Sequence, residues 1–277
     1  MEKRIVTVFT NDTAVSRETE KRLIRELEAG GFAVTEDFSA DSELVVCVGG
    51  DGAFLKAIHK CGFPPTPFVG INTGHLGFFQ ELAPGQLTDF IHHYKEGKYR
   101  LQPLSSVQAS VQAGGKAAAH VGLNEIVIKG SGSYLIHLDI SIGGSFIERF
   151  SGDGILVATP AESTAYNYSL GGSIVDPRLR LLQITPIAPM NTTAYRSFTS
   201  SLLLPSDLSF GVVPERGQQY TLVISTDGIE YRYEDIVSID IHFAEQVVNL
   251  LRFESYDFWS KVKTKFLDDR TDRSCVL

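Results

Sequence analysis

SELVVCVGGDGAFLKAIHK, residues 42–60, decides how the first third of the chain is read. Residues 44–48, LVVCV, are apolar without alternation, the pattern of a parallel strand covered on both faces. The run ends at Gly49-Gly50-Asp51-Gly52, after which Phe54, Leu55 and Ile58 predict a helix. A strand that stops in glycines and feeds a helix gathers free backbone N–H groups at one point, and the missing side chains let a phosphate approach. Asp51 adds a carboxylate, which beside polyphosphate either contacts a magnesium ion or accepts a proton from an attacking hydroxyl. The same four residues also suit an ordinary Asp-Gly turn. The stretch is not a Walker sequence, because no GK[ST] follows, and not the GxGxxG of a dinucleotide fold.

Outward from this stretch, IVTVF (5–9) predicts a strand, with Ser16 as cap and Glu18 in the first turn of a following helix. Leu23, Ile24 and Leu27 form its apolar stripe, and Gly30-Gly31 ends it. PFVGI (67–71) predicts a third strand, running into NTGHLGFF. The order strand, helix, strand, helix, strand puts the unusual residues at strand C-termini, where open α/β sheets bind ligands. The texture changes near 101. YLIHLDISI (134–142) and IVSIDIHF (236–243) alternate, and two strand-like runs flank Asp227-Gly228, a hairpin signal. The expected organisation is an α/β domain over 1–100, a mainly β domain over 101–245 and a C-terminal segment over 246–277. Within that segment Phe258, Val262 and Phe266 share a helical face with Trp259 at its edge, and 268–277 reads as a polar tail.

The bulk numbers fit one large or two ordinary domains: 277 residues, 43% of them hydrophobic. With 25 basic and 33 acidic residues the formal net charge is -8, which argues against nucleic acid or an anionic membrane as a partner. An anionic small molecule stays open, because magnesium and backbone donors offset an acidic field. Cys47, Cys61 and Cys275 form no CxxC, so the reading is a reducing, cytoplasmic setting. The basic start MEKRIVTVFTND is interrupted by Thr10, Asn11 and Asp12, unlike a signal peptide, and no run approaches the ~20 apolar residues of a membrane helix. In the final SCVL, Ser274 stands where a prenylation motif needs cysteine. The seven histidines lack metal-ligand spacing and read as packing or surface residues.

Two further patches carry chemistry. In GDGILVATPAESTAY (152–166), continuing as NYSLGG, Asp153 lies between glycines. Ser163, Thr164 and Tyr166 offer hydroxyls beside the small Ala161 and Ala165, a set that can bond ribose or amide groups and leave room for a flat ring. The same residues suit a turn with a helix cap at Ser163 or Ser169. In VGLNEIVIKG, Asn124 and Glu125 can read an adenine edge and a ribose, or merely cap a strand end.

GGDGAFLKA, NTGHLGFF, LNEIVIKG and GDGILVATPAESTAYNYSLGG, in this order, resemble the signature segments of the bacterial NAD kinase family. MNTTAYRSFTSSLLLP (190–205) is similar to a further segment, and the likeness spans nearly the whole chain. The resemblance implies an α/β N-terminal domain, a β-sandwich-like C-terminal domain and a C-terminal segment that returns to the first. It also implies a homotetramer or homodimer with its NAD site near a subunit contact. The implied reaction is phosphorylation of the adenosine ribose 2′-hydroxyl of NAD by ATP or polyphosphate, with Mg²⁺ carried by the donor phosphates near Asp51 and not by fixed protein ligands.

Carried over by motif, Asp51 matches the catalytic aspartate and Gly49, Gly50 and Gly52 the phosphate loop. Asn124 and Glu125 match the pair that holds the adenosine part, and Asp153 the acidic residue near the nicotinamide end. Ser163, Thr164, Ala165 and Tyr166, with Ala161 before and Ser169 behind, match the segment lining the NAD pocket. Two positions depart from the pattern. Ala53 stands where the family usually has threonine, removing one hydroxyl from the phosphate loop. Glu162 stands where it usually has glycine; a positive φ there would strain a glutamate by about 1 kcal/mol or more. A lipid or sugar kinase also using GGDG, and a non-catalytic dinucleotide-binding protein, are the competing readings.

Overall fold

The computed structural model describes residues 4–132, 134–193, 196–215 and 221–267. The tail at 268–277, Ser274 and Cys275 included, lies outside the described residues. The chain divides into two compact units, one made of residues up to Pro103 together with those from Val248 onward, the other of Leu104–Val247.

In the first unit parallel strands lie in the order Phe68–Ile71, Ser42–Val48, Ile5–Thr10 and Ala33–Thr35, and the short strand Gln80–Leu82 also pairs parallel with Phe68–Ile71. Leu44, Val45, Val46 and Val48 are fully buried, which is why this run never alternates. The helix Ala14–Ala29 buries Leu23 and Leu27. Its cap is Thr13 and not Ser16: the Thr13 hydroxyl accepts from the Ser16 N–H at 3.3 Å, and Ser16 is buried in the first turn, bonded to Thr73 Oγ1 at 2.5 Å. Thr13, three residues earlier, has the extended backbone a cap needs. The helix Asp51–Cys61 buries Phe54, Ala57 and Ile58 and stops at Gly62, whose φ of 73° suits glycine. A further helix, Leu87–Lys95, adds Phe90, Ile91 and Tyr94 to the core.

The second unit is a pair of sheets with a shared core. One sheet has six antiparallel strands in the order Leu202–Pro205, Leu181–Ile187, Gly154–Ala158, Glu125–Gly130, Leu222–Thr226 and Ile229–Tyr233. The other sets Ser145–Gly152, Ile136–Ile142, Phe210–Pro214 and the long strand Ile236–Arg252 side by side. Ile126, Ile128, Ile155 and Ile224 from the first face Leu138, Ile140, Phe210 and Ile239 from the second in one buried cluster. The chain therefore combines an α/β unit with a mainly β unit. Asp227-Gly228 makes the hairpin turn, with φ of 48° and 83° at the two central residues.

The last strand outruns its alternating stretch: residues 236–243 alternate, and Val248, Leu250 and Leu251 beyond them are buried in the first unit. The helix Phe258–Phe266 follows, capped by Asp257, with Val262 buried and Trp259 half exposed. Its Phe258 and Phe266 rings pack on Phe78.

Candidate active site

Each unit carries part of the set singled out in the sequence. In the first, Gly50 caps the helix Asp51–Cys61 with no side chain bonded to the helix start; the Ala53 N–H turns back to the Gly50 carbonyl at 3.0 Å, and the N–H groups of Asp51 and Gly52 are left for a ligand or solvent. Gly50 and Gly52 would tolerate a Cβ sterically. Gly49 would not: at φ 154° its Cβ would meet that of Ala53 at 2.7 Å. Its N–H is already given to the Ile71 carbonyl at 2.9 Å, so Gly49 packs the loop and is not one of its free donors.

The Asp51 carboxylate accepts from the backbone N–H of Phe78 (3.0 Å) and of Phe79 (3.1 Å), one on each oxygen. Those donors belong to the NTGHLGFF loop, and the loop is held from the C-terminal side. Arg252, 2% exposed, donates to the carbonyls of Phe78 (3.0 Å) and Phe79 (3.1 Å), to Glu81 Oε2 (3.1 Å) and to Gln102 Oε1 (2.8 Å). Glu81 in turn accepts from the Phe253 N–H at 2.8 Å. Lys261 donates to the carbonyls of Gly77 and Gln80. Burial, then the neighbouring Arg252 charge, pushes the Lys261 ammonium down to about 8. Burial also raises Glu81, against the pull of Arg252.

In the second unit Asn124 and Glu125 open the strand Glu125–Gly130. Asp227, from the hairpin turn, accepts from the backbone N–H groups of Leu123 (2.7 Å), Asn124 (2.8 Å) and Glu125 (3.3 Å). Thr159 closes the other side: its N–H bonds the Asn124 carbonyl and its hydroxyl the Leu123 carbonyl, while Oγ1 also caps the short 3₁₀ turn Pro160–Thr164. Thr-Pro here is a cap followed by proline at the first helical position.

Glu162 lies in that turn at negative φ, so the glutamate carries no left-handed strain. It is buried. Its Oε2 accepts from Asn124 Nδ2 at 3.0 Å and its Oε1 from the Asn167 N–H at 3.0 Å. A hydrogen bond joins it to Glu125. Burial, followed by the charges of Glu162 and Asp227, raises the Glu125 carboxyl to about 9, so near neutral pH Glu125 keeps its proton. Burial raises Glu162 too, but the donors around it favour its charged form.

The remaining candidates divide by availability. Ser163 is fully buried, its hydroxyl bonded both ways to the backbone of Val175 (3.0 and 3.2 Å), so it shapes the turn and is not offered to a ligand. Thr164 is buried, Ala161 half-buried and Ala165 exposed. Tyr166 is part exposed, its hydroxyl accepting from Lys129 Nζ at 3.1 Å. Ser169 is exposed and caps no helix start; it ends the short helix Tyr166–Ser169. Asp153 is exposed at the bend where the chain leaves one sheet for the other. Its flanking glycines are steric, because a Cβ at Gly152 would meet the Phe150 ring at 2.6 Å and one at Gly154 the Ile128 carbonyl at 2.5 Å.

Sequence reasoning missed Asp227, whose Asp-Gly signal announces a turn but not a carboxylate reaching a strand about a hundred residues away. It missed Arg252 and Lys261, which nothing local marks. Among the described residues no group of three or more His, Cys, Asp or Glu is placed to hold a metal ion. No described helix is long and apolar enough to cross a membrane.

Comparison with known proteins bears on both units. Residues 8–99 match the family model of the ATP-NAD kinase N-terminal domain, and residues 123–241 that of the ATP-NAD kinase C-terminal domain. The chain is 37% identical over 268 residues to the NAD kinase of Finegoldia magna, spanning 95% of this chain and 98% of that one. It is 34% identical over 234 residues to the NAD kinase of Staphylococcus carnosus, spanning 83% and 86%. Among solved structures it resembles a yeast NADH kinase complexed with NADH, with TM-score 0.84, 21% identity and coverage of 96% and 89%. It also resembles an NAD kinase from Archaeoglobus fulgidus in complex with ATP, with TM-score 0.76, 22% identity and coverage of 94% and 99%. At these identities the two structures speak to the fold.

Proposed function

The chain belongs to the NAD kinase family, and on that premise we propose that it transfers a phosphoryl group from ATP or polyphosphate to the 2′-hydroxyl of the adenosine ribose of NAD, with Asp51 as the catalytic residue. The observation that carries the role of Asp51 is its double backbone tether. With one N–H donor on each oxygen, the carboxylate is oriented before substrate arrives and still has lone pairs to accept the hydroxyl proton. Such a base need not be strong in the ground state, because the hydroxyl acidifies as the new P–O bond forms.

The free N–H groups at the start of the helix Asp51–Cys61 suit the donor phosphates, with Gly50 and Gly52 leaving room for their approach. A Mg²⁺ ion carried by the donor phosphates beside Asp51 would neutralise charge developing on the transferred group. Asn124 and Glu125 take the adenosine part, and Asp153, Ala161, Thr164, Ala165, Tyr166 and Ser169 line the rest of the dinucleotide site. Ser163 supports that wall through Val175. In this reading residues 1–100 handle the donor and 101–245 the NAD, in a cytoplasmic homotetramer or homodimer.

The test is to incubate the purified protein with NAD, Mg²⁺ and either ATP or polyphosphate and to measure NADP. Product with at least one donor supports the reading and names the donor. Absence of product with both, at substrate concentrations that saturate NAD binding, contradicts it.

A further inference from the structure

Asn124 is almost wholly buried, yet its two amide ends are treated differently. Nδ2 donates to Glu162, while Oδ1 is buried and has no hydrogen-bond partner among the described residues. A buried acceptor left unpaired is costly, so proteins seldom keep one without a purpose. The orientation is set by chemistry. Glu162 also takes the Asn167 N–H and is bonded by Glu125, which holds a proton, so Glu162 acts as an acceptor and requires the donor end of the Asn124 amide. Turned the other way, the amide would set oxygen against carboxylate oxygen.

We propose that Glu162 is a positioning residue for base recognition: by fixing Nδ2 of Asn124 it presents Oδ1 as a one-sided acceptor that admits the exocyclic amino group of a 6-aminopurine and rejects the carbonyl that a 6-oxopurine carries in its place. The inference rests on the reading of Asn124 as a contact to the adenosine part. Where glycine replaces Glu162, the Asn124 amide is free to rotate and to meet either base. The glutamate thus converts an adaptable contact into a selective one.

The experiment compares NAD with nicotinamide hypoxanthine dinucleotide on the full chain and on Glu162→Gly and Glu162→Gln, reading Kd by calorimetry and kcat/KM by product formed. Glycine is the residue the family usually carries at this position, and a cooperative melt for each variant checks the fold. The parent is expected to favour NAD by about ten- to a hundredfold in Kd, roughly the effect of leaving one buried acceptor unpaired. Glu162→Gly is expected to bring that ratio within about threefold of unity, and Glu162→Gln, which keeps an acceptor for Nδ2, to restore part of it. An unchanged ratio in Glu162→Gly overturns the proposal, as does a parent that binds both dinucleotides equally. If NAD binds but no NADP forms, the kinase reading fails alone and the Kd ratios still decide. If the parent does not bind NAD, both fall.

Discussion

Gly77 stands so close to Asp51 that a Cβ built on it would lie 2.7 Å from Asp51 Cγ. The glycine is what lets the loop after Phe68–Ile71 bring the N–H groups of Phe78 and Phe79 onto the carboxylate. Gly77→Ala must displace one or the other. Displacing a reacting group by an ångström costs about a hundredfold in rate. The expected outcome is therefore a fall of about that size in kcat, with NAD affinity within about threefold of the parent, measured by initial rates beside calorimetry. An alanine variant with parental kcat would show that the close approach is incidental.

Arg252 ties together the carbonyls whose amides hold Asp51, and its charge is matched by Glu81. Breaking one side of a buried ion pair strands the other. Arg252→Met is expected to cost about 3–5 kcal/mol of unfolding free energy, and adding Glu81→Leu should recover a substantial part of it. Urea denaturation of the two variants checks this; a double variant no more stable than the single one contradicts the assignment.

Glu125 and Lys261 give opposite signs of pH dependence. Glu125 is raised by burial to about 9, so between its unfolded value and that figure the native chain holds a proton the unfolded chain has lost, and stability falls as pH rises through the window. Lys261 is lowered by burial to about 8, so from there to its unfolded value of 10.5 the unfolded chain holds the extra proton and stability rises with pH. The melting-temperature difference, variant minus parent, should thus grow from pH 5.5 to 8.5 for Glu125→Gln. It should shrink from pH 7.5 to 10 for Lys261→Met. Thermal melts across these ranges measure both slopes, and slopes of the same sign for the two variants would refute the account.

Asp227 sits at φ 48°, a conformation glycine adopts freely, so Asp227→Gly removes the carboxylate without straining the turn. Three backbone donors at residues 123–125 then lose their acceptor. A destabilisation of about 1–3 kcal/mol follows, together with a raised KM for NAD as the Asn124-Glu125 corner loosens. A glycine variant with parental stability and KM would show the tether to be dispensable.

How much of this was legible in the sequence depends on the range of the interaction. The buried strand Ser42–Val48 and the helix after it could be read because continuous burial and 3.6-residue spacing are local signals, and so was the Asp227-Gly228 turn. The cap of the helix Ala14–Ala29 is Thr13 and not Ser16, because two hydroxyl residues three positions apart offer the same local signal and only backbone geometry separates them. Ser163 looked like a ligand-facing hydroxyl because nothing in the sequence reveals that Val175, twelve residues on, consumes it. Glu162 looked like a liability for the same reason: Asn124, the partner that gives its charge a role, is 38 residues away. The supports of Asp51 lie further still, with Arg252 reaching Phe78 across 174 residues. Chemistry-bearing residues were visible; the partners that determine what each can do were not.

The central claim is that Asp51 accepts the proton of the attacking hydroxyl, and Asp51→Ala tests it most directly. The measurement is NADP formation at saturating NAD and phosphoryl donor, paired with NAD binding by calorimetry on the same preparation. The account predicts a loss of at least about a hundredfold in kcat, the low end for a general base, with NAD binding within about threefold of the parent. A variant that still makes NADP at the parental rate would contradict it.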